Sequence, residues 1–159
     1  IWSGGRVPTP QRRARLYRAL VNRGLAASVG GFLAPTAEPF LYSVSATVAD
    51  GQSLAAVEDA ALGEIARLIS EGPTAAEVAT VQAQLRARFV YDGDSVTDVA
   101  HQLGYFATIG RWQDWHDAFP RLAAVTVETA HQAAARYLTA DNRTIGVFEP
   151  TPASRGEAR

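Results

Sequence analysis

The sequence predicts an α+β domain in which an antiparallel-rich sheet packs against several helices. Three observations lead there. Residues 25–33 and 40–48 carry β-type patterning on either side of a Pro-bearing loop. Residues 54–109 repeat apolar side chains at helical spacing between strong capping signals. A last helix then runs through a polar turn into a short apolar stretch, residues 144–148.

Taken in order, residues 1–5 read as the last turn of a helix ending on glycine, and residues 7–10 as a loop. Residues 11–22 read as a helix, with Leu16, Ala19, Leu20 and Arg23 at helical spacing and Gly24 as the stop. In 25–33, Gly30 and Gly31 suggest a bulge. In 40–48, Phe40, Tyr42, Val44, Ala46 and Val48 alternate with more polar residues, as one dry face requires. The two strands are expected to pair antiparallel. Ser53 caps a helix striped by Leu54, Val57, Ala61, Ile65, Leu68 and Ile69, which Gly72-Pro73 breaks.

Thr74 and Glu77 form a capping box, in which two backbone donors are satisfied reciprocally. Val78, Val81, Leu85 and Phe89 stripe the next helix as its core face. Ser95 caps another, with Val96, Val99, Leu103 and Phe106 on one side. Trp112, Trp115 and Phe119 make a short amphipathic piece expected to stop before Pro120, and their expected role is packing. Thr126 caps the final helix, and Glu128 places negative charge at its positive end. Residues 144–148 read as a third strand, stopped by Pro150. Residues 1–150 are thus one domain without internal repeat, and 151–159 a disordered polar tail.

Composition excludes several classes of function. The net charge of −1 does not suit a surface built for nucleic acid or anionic lipid. No apolar run is long enough to span a membrane. With no Cys there is no disulfide framework, thiol nucleophile or thiolate-ligated metal. All fifteen basic residues are Arg, and alanine is abundant, as in a protein from a GC-rich genome. The cluster Arg12, Arg13, Arg15 and Arg18 reads as a solvated helix face. No Met occurs, and a chain beginning Ile1-Trp2-Ser3 is expected to have been cut from something longer. The compartment stays open between bacterial periplasm and cytoplasm.

No catalytic constellation emerges. His101, His116 and His131 stand in no spacing that would bring two imidazoles to one zinc ion. No Gly-x-Ser-x-Gly elbow occurs. The stretch Ser28-Val29-Gly30-Gly31 runs from helix into strand, the reverse of a phosphate loop.

Five stretches nevertheless carry a resemblance. They are Arg15-Leu16-Tyr17-Arg18-Ala19-Leu20-Val21 with Arg23-Gly24-Leu25-Ala26; Glu71-Gly72-Pro73-Thr74-Ala75-Ala76-Glu77-Val78; Asp94 to Tyr105; Ala123-Ala124-Val125-Thr126; and Tyr137-Leu138-Thr139-Ala140-Asp141-Asn142-Arg143-Thr144. In this order and spacing they resemble the C-terminal half-domain of the pitrilysin/insulinase family of zinc metallopeptidases, the group that includes mitochondrial processing peptidase. The resemblance implies a half-domain incomplete at its N-terminus, lacking its first strand and helix. It implies a non-catalytic half of a zinc-dependent endopeptidase, lining a clamshell chamber around peptide. Zinc is then expected in the missing N-terminal half, on an inverted His-x-x-Glu-His motif, and no cofactor in this segment. The implied partners are that N-terminal half-domain or a homologous subunit, and a peptide substrate. Some family members hold peptide with an Arg and a Tyr seven residues apart; the matching positions here are Leu20 and Ala27, which carry neither group. Arg18 and Arg23 are the candidate substitutes. Two other readings stand beside this one: a relative without proteolytic activity that serves as an assembly partner, and an α+β binding module for another ligand.

Overall fold

The protein is described from a computed structural model, over residues 12–33 and 36–149. The elements are a wide π turn (Tyr17–Val21), β1 (Ala26–Leu33), β2 (Tyr42–Val48), α1 (Leu54–Glu71), α2 (Ala75–Asp92), α3 (Val96–Ile109), α4 (Gln113–Ala123), α5 (Val127–Tyr137) and a 3₁₀ turn (Ala140–Asn142). The architecture is the expected α+β mixture, with β1 and β2 antiparallel. The expectations for residues 1–11, for Ala34 and Pro35, and for the tail fall outside the described residues.

Four local features differ from expectation. The helix expected over 11–22 is helical over 15–21, with π rather than α geometry over Tyr17–Val21. Asn22 N–H reaches Tyr17 O at 3.1 Å, and Leu25 N–H reaches Leu20 O at 2.9 Å. Within this wider loop Ala19 and Leu20 are both buried. The irregularity in β1 lies between Ala26 and Ser28, not at the glycines. Gly31 serves a packing purpose instead, because a Cβ there would lie 2.7 Å from the Tyr42 hydroxyl across the ladder.

Pro120 does not end a helix. It sits within α4, which continues to Ala123. The carbonyl left without a donor is that of His116, four residues earlier, on a residue facing solvent. Residues 143–149 are without ladder pairing among the described residues, so the third strand is not formed there. Ile145, Val147 and Phe148 are consequently exposed.

Capping fixes the helix starts as the sequence required. Ser53, Thr74, Ser95 and Thr126 each accept a backbone N–H three residues on, and Thr74 and Thr126 complete reciprocal boxes. Each such cap contributes about 1 kcal/mol.

The packing falls into two parts. The π turn, the hairpin, α1 and α5 pack on one another, whereas α4 packs on α2 and α3. Among the described residues the buried apolar ones are Ala19, Leu20, Ala26, Val57 and Ala134, all in the first part. Leu20, Ala26 and Val57 form the centre, with Leu25, Val29, Val48, Ala60 and Ala61 around them. The helical part is held by aromatic contacts instead. Phe89 stacks on Trp115 at 5.4 Å between centroids and meets Phe119 at 6.0 Å. Of the stripe assigned to the core face of α2, Val78, Leu85 and Phe89 are half-buried, but Val81 is exposed. Among the described elements α4 packs most closely on α2, and Val81 lies away from that contact in solvent.

Candidate functional site

The four positions singled out from the sequence lie around the π turn. Its last residues turn the chain through Gly24, at φ +71°, into β1. Leu20 is fully buried and packs with Ala26 and Val57. Ala27 lies at the irregularity of β1 and is exposed, so successive positions 26 and 27 lie one in the core and one outside. Arg18 on this turn and Arg23 just after it are exposed. The two thus present guanidinium groups to solvent, while the side chain at position 20 faces inward.

Next to this turn stands a polar junction that sequence reasoning did not find in full. Arg15 Nε donates to Glu77 Oε1 at 2.7 Å, and its Nη2 donates to Glu77 Oε2 at 2.8 Å and to Gly72 O at 3.0 Å. Glu77 Oε2 also accepts from Thr74 N at 2.8 Å, as the capping box requires. The Arg15 hydrogen bonds, with those of Thr74, hold the Glu77 carboxyl down at about 2, against the opposing effect of burial. The same hydrogen bonding raises Arg15. The capping box was legible from Thr74 and Glu77. The arginine sixty-two residues away was not, because no local pattern names a partner at that separation.

A second junction lies on the other side of α2. The Gln82 side-chain amide donates to Val125 O at 2.9 Å and Ala123 O at 3.1 Å, and approaches Leu122 O at 3.4 Å. It thereby occupies Ala123 O at the end of α4 and Val125 O in the connection that follows. His131 on α5 donates through Nε2 to Ile69 O at 2.7 Å and lies against Gly72. His101, His116 and His131 come from separate helices or turns of helix, and among the described residues no group of three His, Asp or Glu side chains could hold a metal ion. Between α2, α3 and α4 lies an apolar groove of about 110 Å³, bordered by Leu85, Phe89, Phe106, Trp115 and Phe119. Trp115 there packs as expected, whereas Trp112 is exposed. No described helix is long and apolar enough to cross a membrane.

A hairpin entered through a wide turn, tied by an arginine to a capped helix pair, defines a mixed α+β domain. Comparison with known proteins makes the class specific. The family model described as "Peptidase M16 inactive domain" matches residues 4–85, just over half of the chain. The chain belongs to this family, as the resemblance implied; of the five stretches the first two lie within the matched residues.

Two solved structures share the fold. One is a candidate zinc protease from Bordetella pertussis Tohama I, with a TM-score of 0.79 and 24% identity over 88% of this chain and 78% of that one. The other is the inactive peptidase domain of a candidate zinc protease from Bordetella parapertussis, with a TM-score of 0.80 and 24% identity over 91% of this chain and 79% of that one. No curated protein sequence matches the chain.

Proposed function

We propose that the chain is the non-catalytic C-terminal half of a zinc-dependent endopeptidase, and that it supplies part of the wall of a peptide chamber and a surface for assembly. Membership of the inactive-domain family carries this reading. In it, zinc belongs to the other half, on a His-x-x-Glu-His helix or its equivalent in a homologous subunit. Arg18 and Arg23, exposed beside the buried Leu20, offer the donors that positions 20 and 27 lack. A guanidinium can donate to peptide carbonyls. The apolar face of the hairpin supports the assembly role. Beyond Val29 and Val48 that face continues through Val44, Leu33 and Tyr42, which are paired across the ladder or lie beside it and are exposed.

The test is cleavage of a quenched-fluorescent peptide set by the intact protein assembled with its zinc-bearing half. A zinc chelator is expected to abolish cleavage. Arg18→Ala combined with Arg23→Ala is expected to raise KM several-fold with little change in kcat, as loss of uniform binding does. Unchanged KM in a folded double variant would remove these arginines from the site. An assembled protein that cleaves nothing would favour the second reading, a family relative that serves assembly alone. That reading draws on the absence of both the Arg and the Tyr from positions 20 and 27.

A further inference from the structure

We infer that residues 75–123 form a lobe that swings as a unit against the sheet part of the domain, about two neighbouring connections latched by Arg15 and Gln82. The first connection is 72–74, where Gly72 at φ +73° interrupts the helical path and Pro73 follows it. The second is 124–126, between the end of α4 and the cap of α5. A pair of short non-helical connections that both join the same two bodies is the geometry of a hinge, in which a few terminal residues take up the backbone change.

The distribution of packing points the same way. The buried apolar residues among those described all lie in the sheet part, and α2, α3 and α4 contribute none. The helical lobe is organised around its own aromatic cluster, Phe89, Trp115 and Phe119. Across the junction the described ties are polar. Arg15, from the sheet part, grips Glu77 on α2 and the Gly72 carbonyl within the first connection. Gln82 on α2 grips the Val125 carbonyl within the second. Arg15 therefore crosses the first connection from the sheet part to the lobe, whereas Gln82 fastens the start of the second connection to the lobe, with Ala123 O and Leu122 O beside Val125 O. Polar ties at a partly exposed surface exchange readily with water, unlike a buried apolar seam. The reading is independent of peptidase activity.

Distances between spin labels test it in the full chain, which has no native Cys to compete for the label. Asp59→Cys on α1 with Ala100→Cys on α3 spans the hinge. Asp59→Cys with Gln132→Cys on α5 stays within the sheet part; all three positions are exposed. Replacing Arg15→Met and Gln82→Leu together is expected to broaden the spanning distribution at least twofold and to leave the internal one unchanged. Equal broadening of both pairs, or of neither, in a folded variant overturns the hinge. If the double variant does not fold, the parent chain decides, with the same two label pairs. The spanning distribution is then expected to be at least twice as wide as the internal one. Equal widths in the parent chain overturn the proposal.

Discussion

Leu20 has two possible uses, and its surroundings separate them. By position it matches one member of a peptide-holding pair, yet its side chain is 0% exposed and sits between Ala26 and Val57. Leu20→Ala is expected to cost about 2–5 kcal/mol, the usual range for a leucine removed from a packed core. Urea denaturation measures this, and a loss below about 0.5 kcal/mol would place the side chain outside the core. An arginine at position 20 would bury an unpaired charge, so it tests stability before it tests peptide binding. Glu77 gives a pH signature. Its carboxyl is held at about 2, below the ordinary 4.5, chiefly by the Arg15 hydrogen bond. A depressed pKa gives stability that is complete above the unfolded value and is lost as pH falls through the folded one. The urea midpoint of the parent protein is therefore expected to exceed that of Glu77→Gln by a constant margin above about pH 5.5. The margin narrows between 4.5 and about 2. A margin that does not change with pH over that window would mean that the Arg15 contact is not formed in solution.

At the scale of elements, the break between α1 and α2 depends on a glycine for two separate reasons. Gly72 has φ +73°, and a Cβ there would lie 2.9 Å from the His131 ring, itself fixed by its bond to Ile69 O. Gly24 has a similar φ of +71° with nothing within 4 Å. Gly24→Ala should therefore show backbone strain alone, roughly 1 kcal/mol. Gly72→Ala should cost more, by about 1–3 kcal/mol, the usual cost of overpacking. Removing the ring with His131→Ala should recover that excess in a double-mutant cycle. Equal losses at the two glycines would show that the His131 ring gives way freely. A related lesson comes from Pro120. Its ring denies α4 one hydrogen bond, but Arg111 and Arg121 both reach Asp114 near the start of that helix. Local propensity gave way there to packing of Trp115 and Phe119 against Phe89.

For the molecule as a whole, family membership and fold agree on an inactive peptidase domain. The described residues hold no group of three side chains suited to a metal ion. Elemental analysis of the purified chain is accordingly expected to find well under one zinc per polypeptide. A stoichiometric zinc would require ligands from residues outside those described, or a metal shared between chains. Separation into a sheet part with a buried centre and a helical part without one also bears on stability. The sheet part carries the apolar burial that dominates folding, whereas α2, α3 and α4 present half-exposed aromatic faces.

The sequence by itself determined the mixed α+β class, the bounds of α1, the capping residues at 53, 74, 95 and 126, and the family. Those are local or compositional signals: a cap needs a side-chain oxygen three residues from an N–H, and an amphipathic helix needs only its own periodicity. The tertiary structure decided what no window of sequence contains. It widened the segment around Leu20 into a π turn, whose bonds from Asn22 N–H to Tyr17 O and from Leu25 N–H to Leu20 O carry the chain into β1. It left residues 144–148 without a ladder, because a strand needs a neighbour and none of the described residues supplies one. It joined Arg15 to Glu77 and Gln82 to Val125, since long-range polar contacts are chosen by folding and not by spacing. Position 20 shows the division plainly: the sequence marks it by alignment to a binding residue, and the fold makes it the best-buried side chain described.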